Sequence, residues 1–504
     1  MSHHRPEHVA EHRSPPVAAN RLGPQAAPVT VVMRGGRDET AALCRHLLRA
    51  GLTAAIVAAV VVAVHRRPVD SGAADLNLLI ITLDTTRADR LGPYGSTSVR
   101  TPNLDRLARE GVVFENTWSV APLTLPAHAS LFTGLLPAAH GVRENGGFTL
   151  AASQVTLAER LQREGFATAG FAASMVLDES SGMDQGFEAY VGGFRSRGGM
   201  PRGPGRLRRP ADVVVGQTIS WWLARRPARF FAWVHLYDAH APYQPPEPFR
   251  SEYEGRPYDG AIAFVDQQIG VLLDFLDREG VLGRTLVAVV GDHGESLGEH
   301  GEQQHGLFLY ESVLRVPLII RAPRPGMAGR RVSTLTRITD VMPTLQELLD
   351  VAPDRPVDGV SLVSLMTGRS RGGDLEAYAE NTYPRSRFGW GELRAFRSGR
   401  YKVIATTRPE LYDLERDPHE HHNLFDDRPG LASAMLTRLA ALGAGASTST
   451  PSPVAARGDS DRLERLASLG YIDGHRPTLA EGMPSVAPDP KDKVHEYNRL
   501  TSRN

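Results

Sequence analysis

Three short stretches carry the residues of this chain that could do chemistry: Asp84, the run Thr124-Leu125-Pro126-Ala127-His128, and the pair Asp292-His293. Asp84 closes an apolar run at residues 78–83, and Asp292-His293 closes another at 285–290. Two carboxylates, an imidazole and a hydroxyl at strand or loop ends are what a hard divalent metal needs to turn an alcohol side chain into a nucleophile. Asp84, Thr124, Asp292 and His293 are therefore the candidate metal ligands. Thr124 is also the candidate nucleophile, because a threonine hydroxyl is inert at neutral pH unless a metal bears the developing alkoxide. It stands just before Pro126 and a short apolar helix pattern at 127–132, whose free N–H groups would face an attacked anion. The plainer readings are a turn aspartate for Asp84 and a helix cap for Thr124. Gly291 and Gly294 flank the acid–imidazole pair and allow a tight turn that aims both side chains at one point.

The elements that must position these residues alternate between strand and helix. Residues 78–83 suit a buried parallel strand, and Thr101-Pro102-Asn103 opens a helix that Gly111 stops. Helical patterns at 156–163, 219–223 and 259–276 feed apolar runs at 167–172, 230–236 and 285–290. A strand at 316–321 precedes a helix at 339–349. This predicts an α/β fold, a large mostly parallel sheet with helices on both faces and a site at the strands' carboxyl ends, over a core at 73–365. Short alternating segments at 393–396, 401–405 and 411–414 predict a small antiparallel C-terminal subdomain at 366–440. Residues 441–504 read as a linker, a short helix at 461–469 and a polar tail, and the Gly- and Arg-rich stretch 192–209 as a surface insertion or a basic lid.

Composition narrows the class. The 57 basic and 57 acidic residues among 504 cancel, which argues against a nucleic-acid partner. Cys44 is the only cysteine, so an intramolecular disulfide and a thiolate metal site are excluded. Residues 1–49 are polar and basic and read as disordered, and 50–64 form an uncharged run rich in Ala and Val. That run is short of the about 20 residues a spanning helix needs, and reads as a signal or membrane-anchor segment. It predicts an exported location on the periplasmic side, membrane-anchored or secreted, with the membrane as a partner.

The chain resembles the sulfatase-like branch of the alkaline-phosphatase superfamily in an ordered series of motifs across roughly residues 76 to 425. They include Leu83-Asp84-Thr85-Thr86-Arg87-Ala88-Asp89, Thr101-Pro102-Asn103-Leu104-Asp105, Thr124-Leu125-Pro126-Ala127-His128 and His235-Leu236-Tyr237-Asp238-Ala239-His240. Gly291-Asp292-His293-Gly294 and Leu411-Tyr412-Asp413-Leu414 follow. The resemblance implies a departure as well. Sulfatases of the family carry a Cys or Ser, oxidised to formylglycine, where this chain has Thr124, and an arginine where it has His128. Threonine cannot yield the aldehyde and resembles the phosphate-transferring members. Thr85 stands where many sulfatases have a second aspartate, which favours one manganese or zinc ion over a calcium cage. Calcium, or a second metal on Asp238, His240 and His305, stays open.

By the same resemblance His305 and His240 are catalytic candidates that face the substrate, donate to an oxyanion or protonate a leaving group. Asn145 and Lys402 are substrate-binding candidates. His128 binds the anion or only fills space, and loss of the guanidinium removes a bidentate clamp on a dianion. The expected activity is metal-dependent hydrolysis of a phosphodiester or phosphonate monoester through a phosphothreonine at Thr124. The alternatives are a sulfuric ester hydrolase without formylglycine, an envelope phospho-group transferase, and a degenerate binding module. The expected partner is an anionic ester, lipid- or glycan-linked, with no obligate protein partner evident.

Overall fold

In a computed structural model the described residues are 75–193, 208–370, 373, 375–445 and 487–501. The segments 1–49, 50–64 and 461–469, and most of the 192–209 insertion, lie outside them. Eight described strands form the main sheet: β1 (Asn77–Leu83), β2 (Val112–Trp118), β3 (Ala167–Phe171), β4 (Ala189–Val191), β5 (Phe230–Leu236), β6 (Thr285–Gly291), β7 (Arg315–Arg321) and β8 (Arg330–Arg337). Their order is β4-β3-β5-β1-β6-β7-β2-β8. The pairings from β4 through β6 are parallel, as is β2 with β8, and β7 runs antiparallel to both neighbours.

Every residue of β1 is buried, because helices cover both faces of the sheet. The two-residue strand period sends Leu78 and Ile80 into one core with Leu125, Phe132 and Leu345, from the helices Thr124–Thr133 and Val341–Leu348. Leu79, Ile81 and Leu83 enter the other core with Leu104, Val215 and Ile269, from the helices Pro102–Glu110, Ala211–Arg225 and Pro257–Arg278. One cap differs from expectation. Thr101 accepts the Gly92 N–H instead of capping its helix, and Asp266 of the helix Pro257–Arg278 accepts the Asn103 and Leu104 N–H groups at 3.1 and 2.8 Å.

The smaller sheet is antiparallel throughout, in the order β12-β11-β10-β9, from β9 (Glu376–Asn381), β10 (Leu393–Ser398), β11 (Tyr401–Ala405) and β12 (Glu410–Asp413). One face packs on Ala432, Met435 and Leu439 of the helix Pro429–Gly445, the other on Trp118, Leu309 and Val313 of the larger body. The α/β architecture with its small antiparallel C-terminal subdomain is thus as the sequence predicts. Residues 487–501, read from sequence as polar tail, carry a helix, Val494–Thr501, whose Val494 and Tyr497 enter the shared apolar cluster.

The membrane anchor requires correction. Among the described residues no helix is long and apolar enough to cross a membrane. The run at 50–64 lies outside those residues and is itself shorter than the about 20 residues a span needs.

Candidate active site

Strands β1 and β6 are parallel neighbours with Leu83 opposite Gly291. The residues that follow, Asp84 and Asp292, therefore stand level at the carboxyl edge of the sheet, far apart in sequence and adjacent in space. With His293 they form a fully buried group whose ligand atoms lie within 4.8 Å of one another. His293 Nε2 is 3.8 Å from Asp84 Oδ1, 3.6 Å from Asp292 Oδ2 and 3.4 Å from Thr124 Oγ1. Thr124 is the first residue of a helix buried along its whole length, and Leu123 holds the cap position. The hydroxyl does not cap that helix. Asn145 Oδ1 accepts the Leu125 N–H at 2.8 Å instead, leaving the threonine oxygen beside His293.

Hydrogen-bond accounting tests whether a cation fits. Both carboxylate oxygens of Asp84, and Oδ2 of Asp292, are buried without a hydrogen-bond partner, an arrangement that is costly unless a positive charge meets them. Burial raises the pKa of both acids. His293 Nδ1 donates to the Gly294 carbonyl at 2.9 Å, so its Nε2 lone pair faces the carboxylates, as in a metal-ligating histidine. Burial opposes a charge on His293, but Asp292 and Asp84 outweigh it and raise its pKa. Two acids and one imidazole, with orphaned oxygens, fit a divalent cation.

His128, His235 and Asp292 also meet the spacing for a metal group, but the proton positions exclude it. Trp233 Nε1 donates to Thr82 Oγ1 at 3.0 Å, Thr82 Oγ1 lies 3.0 Å from His128 Nε2, and His128 Nδ1 must donate to the Thr124 carbonyl at 2.8 Å. His235 Nδ1 accepts the Ala173 N–H, so the proton is on Nε2, 3.3 Å from Asp84 Oδ2. Neither ring offers a lone pair to an ion there. Burial lowers His128 to about 3, so it is neutral. Of the two sequence readings for His128, its saturated nitrogens fit the packing role.

His305 and His240 join the group. The His305 ring centroid is 4.6 Å from that of His293 and 4.9 Å from that of His240. His240 stacks on Tyr237, with Nδ1 2.8 Å from the Ala241 carbonyl, and burial lowers its pKa to about 3. His305 Nδ1 is 2.8 Å from Glu295 Oε1, and burial takes its pKa well below the usual range. Asn145 keeps a buried Nδ2 without a partner beside the helix start. Lys402 is not brought to the cluster: its Nζ is 3.1 Å from Glu311 and 2.7 Å from Glu420. Asp238 is engaged by the Ala211 backbone, and no metal-compatible group among the described residues contains it with His240 and His305.

Sequence reasoning missed Glu295 and His235. Glu295 is buried, accepts the Tyr243 hydroxyl at 2.8 Å and is raised well above the carboxylate range by burial. Its position two residues after His293 was the available signal. His235 opens a motif that the sequence reading valued for His240. Two turn arguments also change. Gly291 and Gly294 do not adopt positive φ. A Cβ on Gly291 would lie 2.7 Å from Pro317, and one on Gly294 would lie 2.1 Å from the Ser312 carbonyl oxygen, so close packing demands them. Thr85, next to Asp84, is left-handed at φ 52°, a strained place for a β-branched side chain. Its hydroxyl donates to the Ala239 carbonyl and its N–H to Asp292 Oδ1.

Comparison with known proteins agrees with this geometry. Residues 76–351 match the family described as Sulfatase, more than half of the 504-residue chain. Residues 298–442 match the description N-sulphoglucosamine sulphohydrolase, C-terminal. An arylsulfatase of Clostridium perfringens is 24% identical, over 69% of this chain and 90% of that protein. A choline-sulfatase of Rhizobium meliloti is 27% identical, over 70% and 83%. The solved phosphonate monoester hydrolase of Agrobacterium radiobacter is similar with a TM-score of 0.64 and 25% identity, over 74% of this chain and 96% of that one. The chain belongs to the sulfatase family of ester hydrolases, and its buried acid–imidazole cluster is consistent with a divalent-metal site.

Proposed function

We propose that the protein hydrolyses a singly charged sulfuric ester, with Thr124 at the position of the family's formylglycine-forming residue and its hydroxyl as the nucleophile. The observation that carries this is the convergence of orphaned Asp84 and Asp292 oxygens on His293, whose Nε2 lies 3.4 Å from that hydroxyl. A cation held by Asp84, Asp292 and His293, with the Thr124 oxygen completing the set, would supply positive charge to the reacting oxygens. The helix start lends little here, because the Leu125 N–H goes to Asn145, Pro126 has none and the Ala127 N–H goes to the Leu123 carbonyl. The Thr124 hydroxyl gives its proton to solvent as its oxygen bonds to sulfur and the bond to the leaving oxygen breaks. That leaving oxygen takes the His305 Nε2 proton, which protonated Glu295 replaces through Nδ1. Water then attacks sulfur, releasing sulfate and restoring the hydroxyl. His305, fixed through Nδ1 by Glu295, has Nε2 left for this work. Asn145 Nδ2 is free to donate to the substrate.

A monoanion suits the site because His128 is neutral and Lys402 is engaged elsewhere. Most named relatives support sulfate. The match at 298–442 supports a sugar-linked ester, and an exported location suits such a substrate. A phosphodiester or phosphonate monoester is the second reading. It is also singly charged, and Thr124 together with the likeness to the phosphonate monoester hydrolase favours it.

Parallel assays on an aryl sulfate, an aryl phosphodiester and an aryl phosphonate decide between them, the sulfate being expected to turn over fastest. Thr124→Ala is expected to keep the metal and lose at least about 10³-fold in kcat. A metal-loaded Thr124→Ala protein with undiminished turnover would sink the nucleophile assignment.

A further inference from the structure

The helix Val494–Thr501 returns from far along the chain to the loop that carries His305. Tyr497, itself buried, donates its hydroxyl to the His305 carbonyl oxygen at 2.6 Å. Gly306 follows at φ 97°, and a Cβ there would lie 2.7 Å from the tyrosine oxygen, so this glycine both turns the chain and admits the hydroxyl. Asn498 extends the grip. Its Nδ2 donates to the Gly301 carbonyl at 2.7 Å, and its Oδ1 accepts the Gln303 N–H at 3.2 Å. The Tyr497 ring shares an apolar cluster with Leu307 and with Leu123, the residue before Thr124. Beyond Gly306 the loop is held from another side, where Asn381 Nδ2 donates to the Gly306 and Leu307 carbonyls at 2.9 Å each.

We infer that Tyr497 is a positioning residue for His305, and that the C-terminal helix sets how far that imidazole reaches toward His293 and the ester. The inference rests on the reading of this cluster as an ester-hydrolysing site. A hydrogen bond on the His305 carbonyl fixes the peptide plane adjoining its Cα, and with it the direction of the side chain. Small displacements of a group that touches a reacting bond cost rate far more than they cost binding.

The test uses the full-length Tyr497→Phe protein, which keeps the ring in its apolar seat and removes only the hydroxyl, with Asn498→Ala as a second variant. Metal content is expected to be unchanged, KM to stay within about twofold, and kcat on an aryl sulfate with a weakly acidic phenol to fall about tenfold, less so with nitrophenol. Amide exchange over 303–307 is expected to quicken. In a His305→Ala background the Tyr497→Phe change is expected to cost nothing more, because the hydroxyl acts through that imidazole. Unchanged exchange, or the same loss with and without His305, overturns the inference. A wild-type protein inert toward every ester defeats the functional reading alone, and the exchange result then decides the positioning role without turnover.

Discussion

At the ends of β1 and β6, Asp84 and Asp292 meet histidines and, among the described residues, no ammonium or guanidinium, and three of their oxygens find no hydrogen bond. Beneath the smaller sheet, Glu311 and Glu420 meet Lys402, and Arg397 reaches Glu311, so that each carboxylate has a cation within 3.1 Å. Trp118 lies under both cations, with Lys402 Nζ 4.9 Å from its ring centroid. Lys402 and Arg397 outweigh burial and hold Glu311 below the usual carboxylate range, while burial raises Glu420 to about 7 despite Lys402, and raises Asp84 and Asp292. Both regions are dense in buried charge. Among the described residues only the first lacks a cationic side chain, which suits it to an external cation, while the second carries its own.

The comparison breaks most readily at Asp292. Asp292→Asn is expected to release the metal and reduce turnover on the order of 10³-fold, read by elemental analysis and kinetics. In chelator, urea unfolding is expected to find the same variant more stable than wild type, since one of two repelling buried carboxylates is gone. A variant that keeps both metal and turnover would erase the distinction between the clusters. Next in size, Lys402→Met is expected to cost about 3–5 kcal/mol of stability, with metal present or absent, and to leave metal affinity unchanged. A change in metal affinity there would join the two regions into one site.

Glu302 sharpens the contrast as a third way of burying a carboxyl. Its oxygens accept the Leu307 N–H and the Ser296 hydroxyl, and burial raises its pKa from 4.5 to about 8. The folded state therefore holds this proton more tightly than the unfolded chain. The resulting stabilisation is complete below pH 4.5 and is lost as pH rises toward about 8. Glu302→Gln cannot ionise, so its stability relative to wild type is expected to rise by roughly 1 kcal/mol per pH unit across that window. Denaturant titrations at a series of pH values check this, and parallel curves for the two proteins would refute it.

The alternation of apolar runs and helical patterns was enough to read the buried strands β1, β3, β5, β6 and β7, which are nearly continuous in apolar residues, while β2, β4 and β8, mixed in polarity or only three residues long, were not read. Asp84, Asp292 and His293 were legible for a related reason: polar residues that end such runs have few uses other than a site. His235 was hidden because it lies inside a strand, where a histidine looks like a core residue until its proton is traced. The cap on the helix Pro102–Glu110 was illegible because its acceptor, Asp266, belongs to a distant helix. The docking of Val494–Thr501 rests on two apolar side chains, too few for a periodic signal. The two glutamates that hold Lys402 were not legible, since sequence does not tell a lysine that reaches a substrate from one paired inside the fold.

The pairing of Leu83 with Gly291 makes the gap between the acidic side chains a property of neighbouring strands, which lie about 4.8 Å apart. The jaws of the site are thus spaced by the backbone lattice and not by any loop. Exchange of the surrounding surface segments can retune which ester enters while the calibre offered to the ion stays the same.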